Sequence, residues 1–192
     1  MKKNRGFSLI EVLITLLLTA MGVLGMVALQ SKAVSYTQEA INRNTAISMA
    51  NGLVEIMRAY RDEIYVNTPP NSINYSELKS SSDFYNANGA LNFAVTDCAE
   101  PAQTAKQAAG CWLRKANASL PGATESAVSA KFFICPSFSV QSSGNTKGEV
   151  VCAGNSYKGS SLAIQVAWKA RESVCGANAN SDICTYVMRV EI

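Results

Sequence analysis

Histidine is missing from all 192 residues. With it go the commonest general base, the imidazole partner of nucleophilic serine and cysteine, and the commonest metal ligand. The usual hydrolytic and zinc chemistries thus lose their main component. Proline is absent before residue 69, so nothing in the first third of the chain forces a helix to stop. Clusters of basic residues are absent too: once Lys2, Lys3 and Arg5 are set aside, 14 lysines and arginines face 14 aspartates and glutamates. A neutral body lacks the electrostatic footprint that phosphate binding requires, and no nucleic-acid partner is expected. Cysteine is absent from the first 97 positions.

What is present lies at the two ends. All six cysteines, Cys98, Cys111, Cys135, Cys152, Cys175 and Cys184, fall in the second half, with no CxxC spacing and no histidine to complete a metal site. An even count without a metal pattern predicts disulfides, hence an oxidising compartment, and no metal. At the other end, residues 7–29 read FSLIEVLITLLLTAMGVLGMVAL, in which Glu11 is the single charge. As a helix this run would span ~34 Å, enough to cross a hydrocarbon core. The basic residues before it predict a cytoplasmic N-terminus and a periplasmic remainder, the same side that the cysteines require. A removable signal peptide would have a shorter apolar core and a small-residue cleavage site, whereas Leu-Gln-Ser-Lys follows here. Glu11 is costly inside a membrane and is therefore a candidate functional residue.

Lys-Lys-Asn-Arg-Gly6 followed by Phe7-Ser-Leu-Ile-Glu11 resembles the class III leader of type IV pilins and pseudopilins. The resemblance implies a leader at 1–6 cut by prepilin peptidase between Gly6 and Phe7, N-methylation of Phe7, and an assembly role for Glu11. It also implies that the apolar helix is kept as inner-membrane anchor and filament core.

Beyond residue 29 the apolar positions Val34, Ile41, Ile47, Leu53, Val54, Ile56, Met57, Tyr60 and Ile64 recur every three to four residues, which predicts an amphipathic continuation of the helix over 30–65. Thr68-Pro69-Pro70-Asn71 should end it, and the polar stretch to about Asp83 reads as a surface linker. A second helix is expected over Gln103–Leu120, with Ala105, Ala109, Trp112, Ala116 and Leu120 on one face and Pro121-Gly122 as its stop. Alternation at Leu162–Lys169 and Tyr186–Ile192 predicts half-buried strands with one polar face. Lys131–Cys135 and Glu149–Cys152 are further candidates, joined by a loop at Ser142–Asn145. The fold class is thus α+β, with a long N-terminal helix packed on an antiparallel sheet in a head over 66–192, which is also the pilin fold. Six cysteines permit many pairings; sequential pairing, 98–111, 135–152 and 175–184, closes each local element on itself.

Gly110-Cys111-Trp112, Phe132-Phe133-Ile134-Cys135, Val166-Ala167-Trp168, the ending Cys184-Thr185-Tyr186-Val187-Met188-Arg189, and Asn51–Ala59 in the helix resemble minor pilins of the PilV family. That family implies a low-copy subunit that joins other minor pilins at the pilus tip, primes the major pilin, and supports a tip adhesin. Adhesion or twitching motility would follow. Two other classes share parts of the pattern. A type II secretion pseudopilin has the same leader, though six cysteines are unusual there and no acidic calcium loop surrounds Asp182. A signal-anchored periplasmic enzyme would need a nucleophile with its base, and neither a histidine nor a GxSxG is present. Without nucleotide loop, paired catalytic carboxylates or phosphate cradle, neither enzyme activity nor a cofactor is expected.

Overall fold

In the computed structural model, residues 8–136, 150–152, 159–170 and 182–192 are described. The elements are a helix α1 (Leu9–Ala59), a 3-10 turn (Arg61–Glu63), β1 (Tyr65–Asn67), β2 (Ser76–Leu78), a second 3-10 turn (Val95–Asp97), α2 (Ala105–Ser119), a one-turn α3 (Ser126–Ser129), and three strands, β3 (Phe133–Pro136), β4 (Ser161–Lys169) and β5 (Ile183–Glu191). The chain divides into two units, 1–39 and 40–192.

In the first unit the described residues are helical from Leu9 onward and none is buried. Among the described residues of this unit the apolar side chains are thus left uncovered, as on a helix whose apolar surface is met by something other than its own fold.

In the second unit the helix buries Asn42, Ala46, Met49, Ala50, Leu53, Val54 and Met57, one side of a 3.6-residue repeat. This face differs from the expected stripe. Ile41 is 52% exposed, while Ala46 and Ala50, small enough to let the head approach closely, take the central positions. α1 also stops at Ala59, short of the end expected near residue 65. Tyr60 leaves helical geometry at φ −120 and ψ 48, and the chain enters a strand. Ile64, capping the 3-10 turn, and Tyr65, opening β1, are both buried, so their apolarity serves the core of the head and not a continued helix.

The stretch expected to be a linker is a hairpin: β1 pairs antiparallel with β2, Tyr65 opposite Leu78 and Asn67 opposite Ser76. Lys79 N–H closes it on Ile64 O at 2.8 Å. Directly after it Phe84 and Tyr85 are wholly buried. The Tyr85 hydroxyl donates to Lys79 O at 2.9 Å, and burial pushes that phenol above its ordinary range.

α2 follows the sequence pattern closely. The Thr104 side chain accepts from Gln107 N–H, capping the first turn, and Ala105, Ala109, Trp112, Ala116 and Leu120 are all buried. Gly110 sits where α2 meets the preceding 3-10 turn: a Cβ there would lie 2.7 Å from Ala94 O and 2.8 Å from Cys98 N. Both are backbone atoms and cannot swing aside. Gly110→Ala is therefore expected to destabilise the head by about 1–3 kcal/mol despite alanine's better helix propensity. Thermal unfolding of the full chain should show a lower midpoint, and an unchanged or raised midpoint would contradict the close approach.

The second sheet has the order β3-β4-β5, all antiparallel. Phe133 faces Gln165, Cys135 faces Ala163, and Ser161 faces Glu191 across the ladder. As central strand, β4 is buried on both faces from Leu162 to Trp168, which corrects the expectation of one polar face. Ala163 and Ala167 are small and Gln165 has its polar atoms paired, so a second layer can close over that side. The core cluster takes Leu53 and Met57 from α1, Trp112 from α2, and Ile134, Ile164 and Val166 from the sheet. The expected Ser142–Asn145 loop lies outside the described residues, as does Glu149 of the expected Glu149–Cys152 strand, whose described residues 150–152 belong to no named strand.

Candidate assembly site

Glu11 lies in the first turn of α1, where Glu11 N–H donates to Ser8 O at 3.0 Å. A carboxylate there is favoured by the positive end of the helix dipole, worth some 0.3–1 kcal/mol. Around it Leu9, Ile10, Leu13, Ile14, Leu16, Leu17 and Leu18 are each more than half exposed. The helix contains a window with mean hydropathy 2.5, long and apolar enough to cross a membrane, and none of that window is buried in the protein.

Two polar side chains in the run are satisfied internally. The Thr15 hydroxyl donates to Val12 O at 2.8 Å, and that of Thr19 donates to Thr15 O at 2.8 Å. Such bonds suit side chains surrounded by hydrocarbon. Glu11 has no such solution: among the described residues it makes no hydrogen bond or ion pair through its side chain. What the described part of the helix presents is thus an apolar surface with one acidic group near its N-terminal end, an arrangement fit for helix association. Gly6 and Phe7, the expected processing and methylation residues, lie outside the described residues.

The cysteines form a separate set. Cys98 is bonded to Cys111, 13 positions on, and Cys135 to Cys152, 17 positions on. Cys184 is also disulfide-bonded, while Cys175 lies outside the described residues. Loops of this size stabilise a fold by about 3 kcal/mol each. Cys98, Glu100 and Cys111 come within metal-ligating distance of one another, but the bridge consumes both sulfurs and leaves no thiolate for a metal. The first bridge pins α2 to the turn before it, and the second pins β3 to residue 152.

Two contributors went unrecognised in the sequence. Gly89 adopts φ +82, and a Cβ on it would lie 2.4 Å from Cys152 Sγ, so the second bridge rests on a position that needs glycine. Gln165, read as part of a polar face, is 1% exposed; the alanines on either side of it, at 163 and 167, were the available sign of close packing.

Residues 1–27 match the model of the prokaryotic N-terminal methylation motif, and residues 28–111 match that of the type IV pilin Tt1218 family. No curated protein and no solved structure matches the chain. The pilin family is structural, not enzymatic, and its motif implies processing by prepilin peptidase and assembly with other pilins. The two matches adjoin, so that a methylation motif runs directly into sequence similar to the type IV pilin Tt1218 family, on an exposed apolar helix carrying one carboxylate.

Proposed function

We propose that this chain is a minor pilin of the PilV kind, a low-copy subunit that joins other minor pilins in a tip complex, primes polymerisation of the major pilin, and supports a tip adhesin. Before assembly it would sit in the inner membrane, N-terminus cytoplasmic and head periplasmic; afterwards it would lie in the pilus at the cell surface. The observation that carries the reading is the pairing of an unburied apolar helix, with Glu11 as the only acidic residue before Glu39, with a head tied by bridges at 98–111 and 135–152. A minor rather than a major role is supported by the absence of proline before residue 69 and by six cysteines, where major pilins usually carry a proline in the membrane helix and a single disulfide loop.

The maturation steps belong to the same proposal: cleavage after Gly6, methylation of the amine of Phe7, and use of Glu11 in assembly. Intact-mass analysis of the membrane-extracted protein tests them. The expected species is the 192-residue chain less its six-residue leader, carrying one methyl group. Recovery of the uncut chain from cells with active prepilin peptidase, or a cut near residue 30, would contradict the proposal.

A further inference from the structure

The Gln165 side chain is wholly enclosed in the middle of β4, and both ends of its amide are used. Nε2 donates to Lys131 O at 2.9 Å, and Oε1 accepts from Val150 N–H at 3.0 Å. A buried primary amide is costly unless paired, and a core strand could have carried an aliphatic residue instead. The position of its partners explains its presence. Lys131 leads into β3, which carries Cys135, and Val150 is two residues before Cys152. Gln165 faces Phe133 across the ladder, one two-residue step along the strand from the Ala163–Cys135 pair. One amide thus bridges the two segments whose cysteines are joined at 135–152. From below, Gly89 lies against Cys135 Cβ and Cys152 Sγ, and Ile134 N–H donates to Gly89 O at 2.9 Å, so the sulfurs are confined on that side as well.

We propose that Gln165 is a positioning residue for this disulfide: its amide holds residues 150–152 beside β3 whether or not the bridge exists, and so raises the effective concentration of the Cys152 thiol at Cys135. The chemistry is ordinary exchange. One cysteine, as thiolate, attacks a low-molecular-weight disulfide such as oxidised glutathione and releases one glutathione thiolate. The second cysteine, as thiolate, then attacks the mixed disulfide and releases the other. Two cysteine thiols are oxidised to one bridge, and one glutathione disulfide is reduced to two thiols, the cysteine protons passing to the released glutathione.

The test is equilibration of the full-length, detergent-solubilised protein in glutathione buffers, with differential alkylation and peptide mass spectrometry to read each bridge separately. Gln165→Met keeps the volume and removes both hydrogen bonds. Val150→Pro removes the N–H from the other end of one of them and leaves the core untouched. In both variants the 135–152 bridge should require a buffer about tenfold more oxidising for half formation, the scale of a lost buried hydrogen bond or two, while 98–111 forms as in the wild type and reports an intact fold. Leu162→Ala, a fully buried position on the same strand, should lower overall stability without a selective shift at 135–152. An unmoved 135–152 midpoint in both variants, equal shifts of both bridges, or the same selective shift in Leu162→Ala would each overturn the proposal.

Discussion

Glu11→Ala is expected to be made, inserted and cleaved like the wild type, yet to be recovered with the other minor pilins at about a tenth of the wild-type yield or less. The cause is electrostatic. A carboxylate in the membrane costs a few kcal/mol, and in the described structure Glu11 has no side-chain partner. After the proposed cleavage Phe7, four residues before Glu11 in the chain, bears a cationic amine. Within one subunit the helix dipole helps the carboxylate but leaves the amine uncompensated. Between subunits, the carboxylate of an entering chain can neutralise the amine of its neighbour, and that attraction strengthens as the local dielectric falls. Removing one partner of such a pair leaves the other charge buried and uncompensated, so the penalty is steep. Co-purification of tagged minor pilins with the variant, quantified against wild type, measures it; equal yield together with normal piliation would show that Glu11 plays no part in assembly.

Trp112→Ala should produce the largest loss of stability in the head. The ring is 6% exposed and meets Phe93 and Phe132 edge-on at centroid distances of 6.2 and 6.4 Å. Its Nε1–H donates to Met49 O at 2.8 Å, and Gly52 lies beneath it at 3.9 Å from a would-be Cβ. This one side chain therefore joins α2 to the α1 residues of the same unit and to the strand side of the core. Truncation to alanine opens a cavity worth about 3–5 kcal/mol, which corresponds to a fall of about 10 °C or more in the unfolding midpoint for a unit of this size. Trp112→Phe separates the contributions: it keeps most of the packing and loses the hydrogen bond, with an expected cost of about 1–2 kcal/mol. Thermal unfolding of the full chain in detergent without reductant decides. A shift in Trp112→Ala no larger than in Trp112→Phe would mean that the ring packs less than its burial indicates.

How far these residues could be read in advance depended on how much pattern each element carries. α2 was legible because fifteen residues are enough for a 3.6-residue repeat to declare itself, and because Pro121-Gly122 ends it, with Gly122 at φ +67. Glu11 was legible for the opposite reason, as a lone charge in an otherwise uniform run. β1 and β2, at three residues each, are too short to show alternation, and their polar exposed side chains look like linker. The buried face of α1 does not follow apolarity alone, because close packing favours small residues: Ala46 and Ala50 face the core where Ile41 does not. β4 was found, but its environment was not, since alternation of large apolar with small or amide residues reads identically whether the second face meets water or a closely packed layer. Only the closed core, in which Gln165 has both amide ends paired, distinguishes the two.

Counting surface pili after deletion of the gene, with and without the retraction motor, decides whether the chain primes assembly as a minor pilin. Few or no pili are expected in the deletion strain and substantial recovery when retraction is blocked, because priming sets how often filaments start against continuous disassembly. Unchanged pili in the deletion strain, accompanied by failure to secrete proteins across the outer membrane, would contradict it and assign the chain to a secretion pseudopilus instead.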